Sequence, residues 1–210
     1  MSEINFYNID NIEFMKTKPD NFYDLAIVDP PYGYGNKETA ILNFRMEAQE
    51  KDWNIAPTEE YFKELFRVSK NQIIWGGNYF PFIWGFGGRC FIYWHKGNPV
   101  PNFADGELAW TSFDKNAIQI DYRYYGNLQG KTSATKKLHP TQKPIYLYRK
   151  ILTEFAEKGF KILDTHGGSH THAIAADMEG FDLDICEIEK EYFNNGKKAF
   201  NEYRSQTKLF

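Results

Sequence analysis

Six short apolar runs set the frame for any fold of this chain: Leu25 to Val28, Gln72 to Trp75, Cys90 to Trp94, Gly106 to Trp110, Lys161 to Leu163 and Phe181 to Cys186. They are rich in β-branched and aromatic residues and close on Gly, Pro or Asp, as buried strands do. Helical patterns lie between them. Thr58 can cap a helix carrying Tyr61, Phe62, Leu65 and Phe66 on one face. Pro144 suits a first helical position before Ile145, Tyr148, Ile151, Leu152 and Phe155. Thr171 to Glu179 and Glu189 to Tyr203 complete the set. Strands alternating with helices predict an open α/β sheet with helices on both faces. At 210 residues, one domain spanning residues 1–210 is expected. Two stretches, 34–56 and 122–138, are polar and irregular. They are long for loops inside a domain, which marks them as functional segments.

The formal net charge of −3 excludes a basic coat protein, so any nucleic-acid contact must come from a local patch. Aromatic residues make up 18% of the chain, enough to fill a core and leave rings for stacking on a flat ligand. Cys90 and Cys186 stand in apolar runs without metal-ligand spacing and read as reduced core residues. The first residues carry no basic segment followed by an apolar one, and no apolar stretch is long enough to span a membrane. A cytoplasmic protein without membrane attachment is expected.

The run Leu25 to Val28 leads into Asp29-Pro30-Pro31-Tyr32-Gly33. Asp29 therefore falls at the carboxyl end of a strand, where open α/β sheets bind their ligands. Two prolines remove two N–H donors and fix the backbone, so carbonyl oxygens point in a set direction. Asp29 and the Pro30 carbonyl can accept the two hydrogens of an amino group, and Tyr32 can stack on its ring. The same residues also make an ordinary strand-to-turn junction.

A second signal is Ile162-Leu163-Asp164-Thr165-His166-Gly167-Gly168-Ser169-His170-Thr171: strand, Gly-rich turn, helix. Such a turn can cradle a nucleotide-like ligand on backbone N–H groups. It lacks the Gly-Lys-Ser/Thr of a phosphate loop. About twenty residues on, a strand ends at Glu187, where dinucleotide folds place an acid on ribose hydroxyls. Turn and acid together argue for an adenosine cofactor.

With these residues the chain resembles the DNA amino-methyltransferases. Asp29-Pro30-Pro31-Tyr32 matches their catalytic motif IV, and the resemblance implies S-adenosylmethionine as cofactor and DNA as partner. The target base would be flipped out of the duplex to reach the pocket. Asp164, His166, Gly168 and Ser169 fall in the motif I frame, and Glu187 matches the motif II acid. His139-Pro140-Thr141-Gln142-Lys143-Pro144 matches motif X, so His139, Thr141, Gln142 and Lys143 are expected over the methionine part of the cofactor. Asp10 corresponds to an acidic turn near the cofactor adenine, and the resemblance places Asp29 against the cofactor as well as against the base. Asn71 to Tyr79 and Glu107 to Ser112 resemble adenine methyltransferases as well. The catalytic strand precedes motif X, and the Gly-turn follows. That is the permuted order of the β group, and it implies a seven-stranded Rossmann-like sheet with one reversed edge strand. The chain departs from the commoner pattern at Thr165-His166, usually Pro-Phe, and at His170, usually Gly. A helix N-terminus normally has negative φ, so His170 is expected to point outward from the cofactor.

The resemblance and the leading Asp of motif IV favour methylation of adenine N6. Cytosine N4 methylation, methylation of RNA or a protein side chain, and a non-catalytic nucleic-acid-binding role are the other readings. Arg123, Lys131, Lys136 and Lys137, interleaved with Tyr122, Tyr124 and Tyr125, suit phosphate contacts and stacking. That segment is short for sequence recognition, which a homodimer would remedy. His166, His170 and His172 lack an acidic or Cys ligand beside them, so no metal site is expected.

Overall fold

The computed structural model describes residues 2–33, 55–97, 104–123 and 142–207. Eight strands form one sheet: β1 (Ile4–Tyr7), β2 (Tyr23–Val28), β3 (Ser69–Trp75), β4 (Phe91–His95), β5 (Gly106–Thr111), β6 (Ile118–Asp121), β7 (Lys161–Asp164) and β8 (Asp182–Cys186). Their order is β1-β8-β7-β2-β3-β5-β4-β6. Strand β5 runs antiparallel to both β3 and β4, and the other pairs are parallel.

The α/β architecture is the expected one, with eight strands in place of seven. The reversed strand lies inside the sheet, covered on its outer side by β4 and β6. The two strands that the apolar runs did not announce, β1 and β6, are the two sheet edges. An edge strand needs less apolar sequence because one of its sides faces no neighbour. In β6, only Ile120 of Ile118-Gln119-Ile120-Asp121 is buried.

The helices are α1 (Asn11–Lys16), α2 (Glu59–Val68), α3 (Pro81–Trp84), α4 (Ile145–Phe155), α5 (Thr171–Glu179) and α6 (Lys190–Thr207). Thr58 caps α2 through its hydroxyl, which accepts from the Tyr61 N–H, and Pro144 stands at the α4 cap. Strand β2 shows how the layers form. Leu25 and Ile27 face a core with Ile73, Ile151, Leu152, Ala173 and Phe200, which brings in α4, α5 and α6. Ala26 and Val28 face the opposite core with Phe14, Phe62, Leu65 and Ile83, which brings in α1, α2 and α3. Each buried Leu or Ile contributes about 1.5–3 kcal/mol, so a strand buried on both faces locks its register. The carboxyl ends of β2, β7 and β8 are thereby held side by side. Cys90 and Cys186 are both free and buried. No helix among the described residues is long and apolar enough to cross a membrane.

Candidate active site

Asp29 follows the last residue of β2, as the strand pattern requires. Its two oxygens are both engaged. Tyr32 donates its hydroxyl to Oδ1 at 2.8 Å, and the Lys143 ammonium lies 2.5 Å from Oδ2. Lys143 comes from the segment just before α4, and its side chain is only 3% exposed. Its Nζ also reaches Glu107 Oε2 of β5 at 3.1 Å and the Tyr32 hydroxyl oxygen at 3.2 Å. An ammonium has three N–H donors, and here three acceptors surround it. Lys96, just beyond β4, pairs with the other oxygen of Glu107.

These charges set one another. Burial raises the Asp29 carboxyl above its ordinary range, and the Lys143 ammonium offsets only part of that. Burial would raise Glu107 too, but the ammoniums of Lys143 and Lys96 outweigh it and hold its carboxyl at about 2. Burial would lower Lys143, and the two carboxylates more than compensate, so it stays charged. Two anions and two cations leave the cluster neutral overall.

Tyr32 turns its ring against Gly76, which has φ +68° and no room for a Cβ. That left-handed position, following β3, is one that Gly takes without strain. Tyr79 stacks on Tyr32 with ring centroids 5.2 Å apart and is itself 42% exposed.

The neighbouring strand ends build a second half of the site. Asp164 closes β7. Its Oδ1 accepts from the His166 N–H at 2.9 Å, and Oδ2 lies 2.9 Å from His172 Nδ1. Glu187 follows β8 and accepts from the Gly168 N–H and the Glu189 N–H, both at 2.8 Å. His166 Nε2 lies 3.1 Å from Asn11 Nδ2, which places α1 and its cap Asp10 against the turn. Asp10 itself accepts from the N–H groups of Ile12 and Glu13. Ser169 is buried, with its Oγ 3.4 Å from Thr171 Oγ1. Thr171 donates its hydroxyl to the Lys143 carbonyl at 2.9 Å, and so ties the Gly-turn to the Asp29 cluster.

His170 corrects one expectation. Its φ is +57°, in the left-handed region where Gly is the usual residue. The helix rule fails because His170 stands one residue before α5, at the cap, where the turn still sets the backbone. The imidazole is fully buried and packs on Phe6 and Phe193, with ring centroids 5.2 and 6.1 Å away. It packs between β1 and α6, so the sign of φ, and not the direction of the ring away from the cofactor turn, is what departs from the expectation. Gly196 of α6 makes room for it, since a Cβ there would collide with the ring. Burial outweighs Asp164 and the Gly196 backbone and pushes the imidazole down to about 4, so it is neutral. His166, His170 and His172 thus face three different neighbourhoods.

Asp29, Pro30, Pro31, Tyr32 and Lys143 therefore come together at β2, and Asp10, Asp164, His166, Gly168, Ser169 and Glu187 at β7 and β8. Gln142 is half-buried next to Lys143. Arg123 is exposed beyond β6, with its side chain over Gly97. His139, Thr141, Lys131, Lys136 and Lys137 lie outside the described residues. Glu107, Lys96 and Tyr79 complete the cluster although sequence reasoning did not single them out. The signal for Glu107 was an acidic residue opening the apolar run Gly106 to Trp110.

The donor set fits an adenosine-bearing cation. Asp164 and Glu187 supply carboxylates at the Gly-turn, which has no Lys for a phosphate, whereas Asp29 and Glu107 are already balanced by Lys143 and Lys96. That half suits a cationic cofactor better than a phosphate.

Residues 83–198, over half of the chain, match the DNA methylase family N6_N4_Mtase. The Type II methyltransferase M2.MboI of Moraxella bovis is 26% identical over 94% of this chain and 88% of its own length. The crystal structure of the M1.HpyAVI–SAM complex superposes with a TM-score of 0.65 at 22% identity, covering 94% of this chain and 99% of that one. The PvuII DNA methyltransferase, described as cytosine-N4-specific, superposes at 0.63 with 17% identity, covering 95% and 86%.

Proposed function

We propose that this chain, which belongs to the N6/N4 DNA methylase family, methylates N6 of adenine with S-adenosylmethionine as the methyl donor. The observation that carries this reading is Asp29 at the end of β2, ionisable, mostly buried and followed by Pro30-Pro31-Tyr32. Asp29 and the Pro30 carbonyl accept the two amino hydrogens and direct the nitrogen lone pair at the methyl group. Tyr32 stacks on the flipped base, with exposed Tyr79 beside it as a further aromatic face.

When bound, the cofactor supplies an electrophilic methyl group on a cationic sulfur. Glu187 would hold its ribose, Asp10 its adenine end, and the Gly168 turn its backbone-facing side. Lys143, with Gln142, His139 and Thr141, would cover the methionine part. Positive charge develops on the amino nitrogen as the new bond forms, and the Asp29 carboxylate stabilises it in a site of low dielectric. Neither cysteine is needed as a nucleophile. Arg123, with Lys131, Lys136 and Lys137, is the proposed phosphate-contacting group, and a homodimer would enlarge that surface.

Cytosine N4 is the second reading. It is favoured by the superposition on the PvuII enzyme, because both amino groups present two hydrogens to the same pair of acceptors. The test is nucleoside analysis of unmethylated DNA incubated with the protein and labelled cofactor. Label in N6-methyladenine is expected. Label only in N4-methylcytosine would overturn the adenine assignment and leave the amino-transfer chemistry standing.

A further inference from the structure

Both oxygens of Asp29 are occupied by donors from the protein itself. An incoming amino group needs one of them. The Tyr32 hydroxyl on Oδ1 is neutral and belongs to the same turn, whereas Lys143 on Oδ2 is a cation from a distant segment. A cation left there would oppose the positive charge that grows on the amino nitrogen during transfer. It would also compete with the amino hydrogens for the same lone pairs. Lys143 must therefore give way, and it is too buried to give way to water.

Glu107 solves that problem. Its Oε2 already lies 3.1 Å from the ammonium, so a small rotation of the Lys143 side chain exchanges one carboxylate for the other without exposing an unpaired charge. Lys96 fixes Glu107 from the other side. The Trp75 ring, with the ammonium 5.0 Å from its centroid, and Tyr32, at 5.8 Å, bound the path with π-faces.

We propose that Lys143 holds the acceptor position of Asp29 in the free enzyme and passes to Glu107 when the target amino group arrives, which makes Glu107 a positioning residue for methyl transfer. This rests on the amino-transfer reading above. Among the described residues, Tyr32 from its own turn, Lys143, Glu107 of β5 and Lys96 beyond β4 contact Asp29 or its partners, and Tyr148 of α4 feels their charge. Of these, Glu107 raises the Asp29 carboxyl and Lys143 lowers it.

The test is the pH profile of methyl transfer to unmethylated plasmid DNA, with cofactor binding followed by calorimetry. In Glu107→Gln, Lys143 has only Asp29 to pair with. The kcat/KM for DNA should fall by about tenfold or more. The acid limb should move to lower pH, because Asp29 loses a like-charged neighbour and keeps its cation. Cofactor affinity should be unchanged, and Glu107→Asp should restore the limb and most of the rate. A Gln variant with the wild-type rate and limb would overturn the proposal, as would Gln and Asp variants that fall equally. Should the Gln variant not fold, Lys96→Gln reads the same exchange from the other side. Glu107 then draws Lys143 from Asp29, and the limb moves to higher pH; an unmoved limb overturns the proposal. A wild-type protein that methylates no DNA overturns the underlying reading instead, a result distinct from an active enzyme indifferent to Glu107.

Discussion

Neighbouring strand ends use their carboxylates in opposite ways. At β2, Asp29 is bound by side chains: a hydroxyl, and an ammonium that it shares with Glu107. At β7 and β8, Glu187 accepts from two backbone N–H groups and Asp164 from one, with the buried His172 ring on its other oxygen, at 2.8–2.9 Å. Backbone donors cannot leave without undoing the turn. Side-chain donors can rotate away. On the proposed reading, the cofactor half stays fixed and the Asp29 half exchanges partners when substrate enters.

The sharpest way to break this contrast is Lys143→Met. Two mostly buried carboxylates would then face each other, with only Glu107 still paired, through Lys96. Breaking a buried pair costs about 3–5 kcal/mol, and the partial exposure of Asp29 and Glu107 places this loss near the lower end. Urea unfolding should show a deficit at pH 7 that shrinks as acid protonates the unpaired carboxylates. A loss independent of pH would mean that packing, and not charge, is what Lys143 supplies.

The fixed half answers to Glu187→Ala. Two backbone N–H groups lose a charged acceptor, each such bond being worth about 1.5–3 kcal/mol. Cofactor affinity should drop at least about tenfold by calorimetric titration, while the acid limb set by Asp29 stays in place. Retained affinity would remove Glu187 from the cofactor site.

Tyr32 separates stacking from charge exchange. Tyr32→Ala should cost transfer about 1–3 kcal/mol through lost stacking. Tyr32→Phe keeps the ring but removes the hydroxyl that lowers the Asp29 carboxyl, so its smaller loss should come with an acid limb at higher pH. A Phe variant with an unshifted limb would show that the hydroxyl plays no part in setting Asp29.

The smallest effect is expected at His170. Replacement by Gly relieves a left-handed backbone that costs a non-Gly residue about 1–2 kcal/mol. It also empties the space that Gly167 and Gly196 leave for the imidazole, so the two changes nearly offset. Cofactor affinity should stay within about tenfold. Stability carries a clearer signature. Histidine in an unfolded chain titrates near about 6.5, and burial holds His170 at about 4. As pH falls, the unfolded chain takes up the proton first, so the stability present above the unfolded value is lost progressively towards pH 4. His166, also held at about 4 by burial, adds a second such loss. Unfolding midpoints at neutral pH and at pH 5 should therefore converge in His170→Gly relative to wild type. An unchanged pH dependence would contradict a buried neutral imidazole.

The same contrast explains what could be read from the sequence. The cofactor half is local: strand, glycines and acid follow one another within about twenty-five residues, and each partner bond closes a short turn. Asp29, Tyr32 and the β2 strand were legible for that reason too. The Asp29–Lys143–Glu107 cluster joins β2, β5 and the segment before α4, and no local pattern pairs residues so far apart. His170 misled because the turn that precedes α5, and not the helix, fixes its φ. The edge strands β1 and β6 escaped notice because four residues with few buried positions carry little periodicity.

The central claim is that Asp29 directs methyl transfer to an amino group of DNA. It is tested most directly by counting cofactor-derived methyl groups in unmethylated DNA after incubation with the wild-type protein and with Asp29→Ala, side by side. The wild type should deposit label on an exocyclic amino group. The Ala variant, folded by circular dichroism and given saturating cofactor, should transfer slower by at least on the order of 10²–10³-fold. Equal labelling by the two proteins would contradict the account.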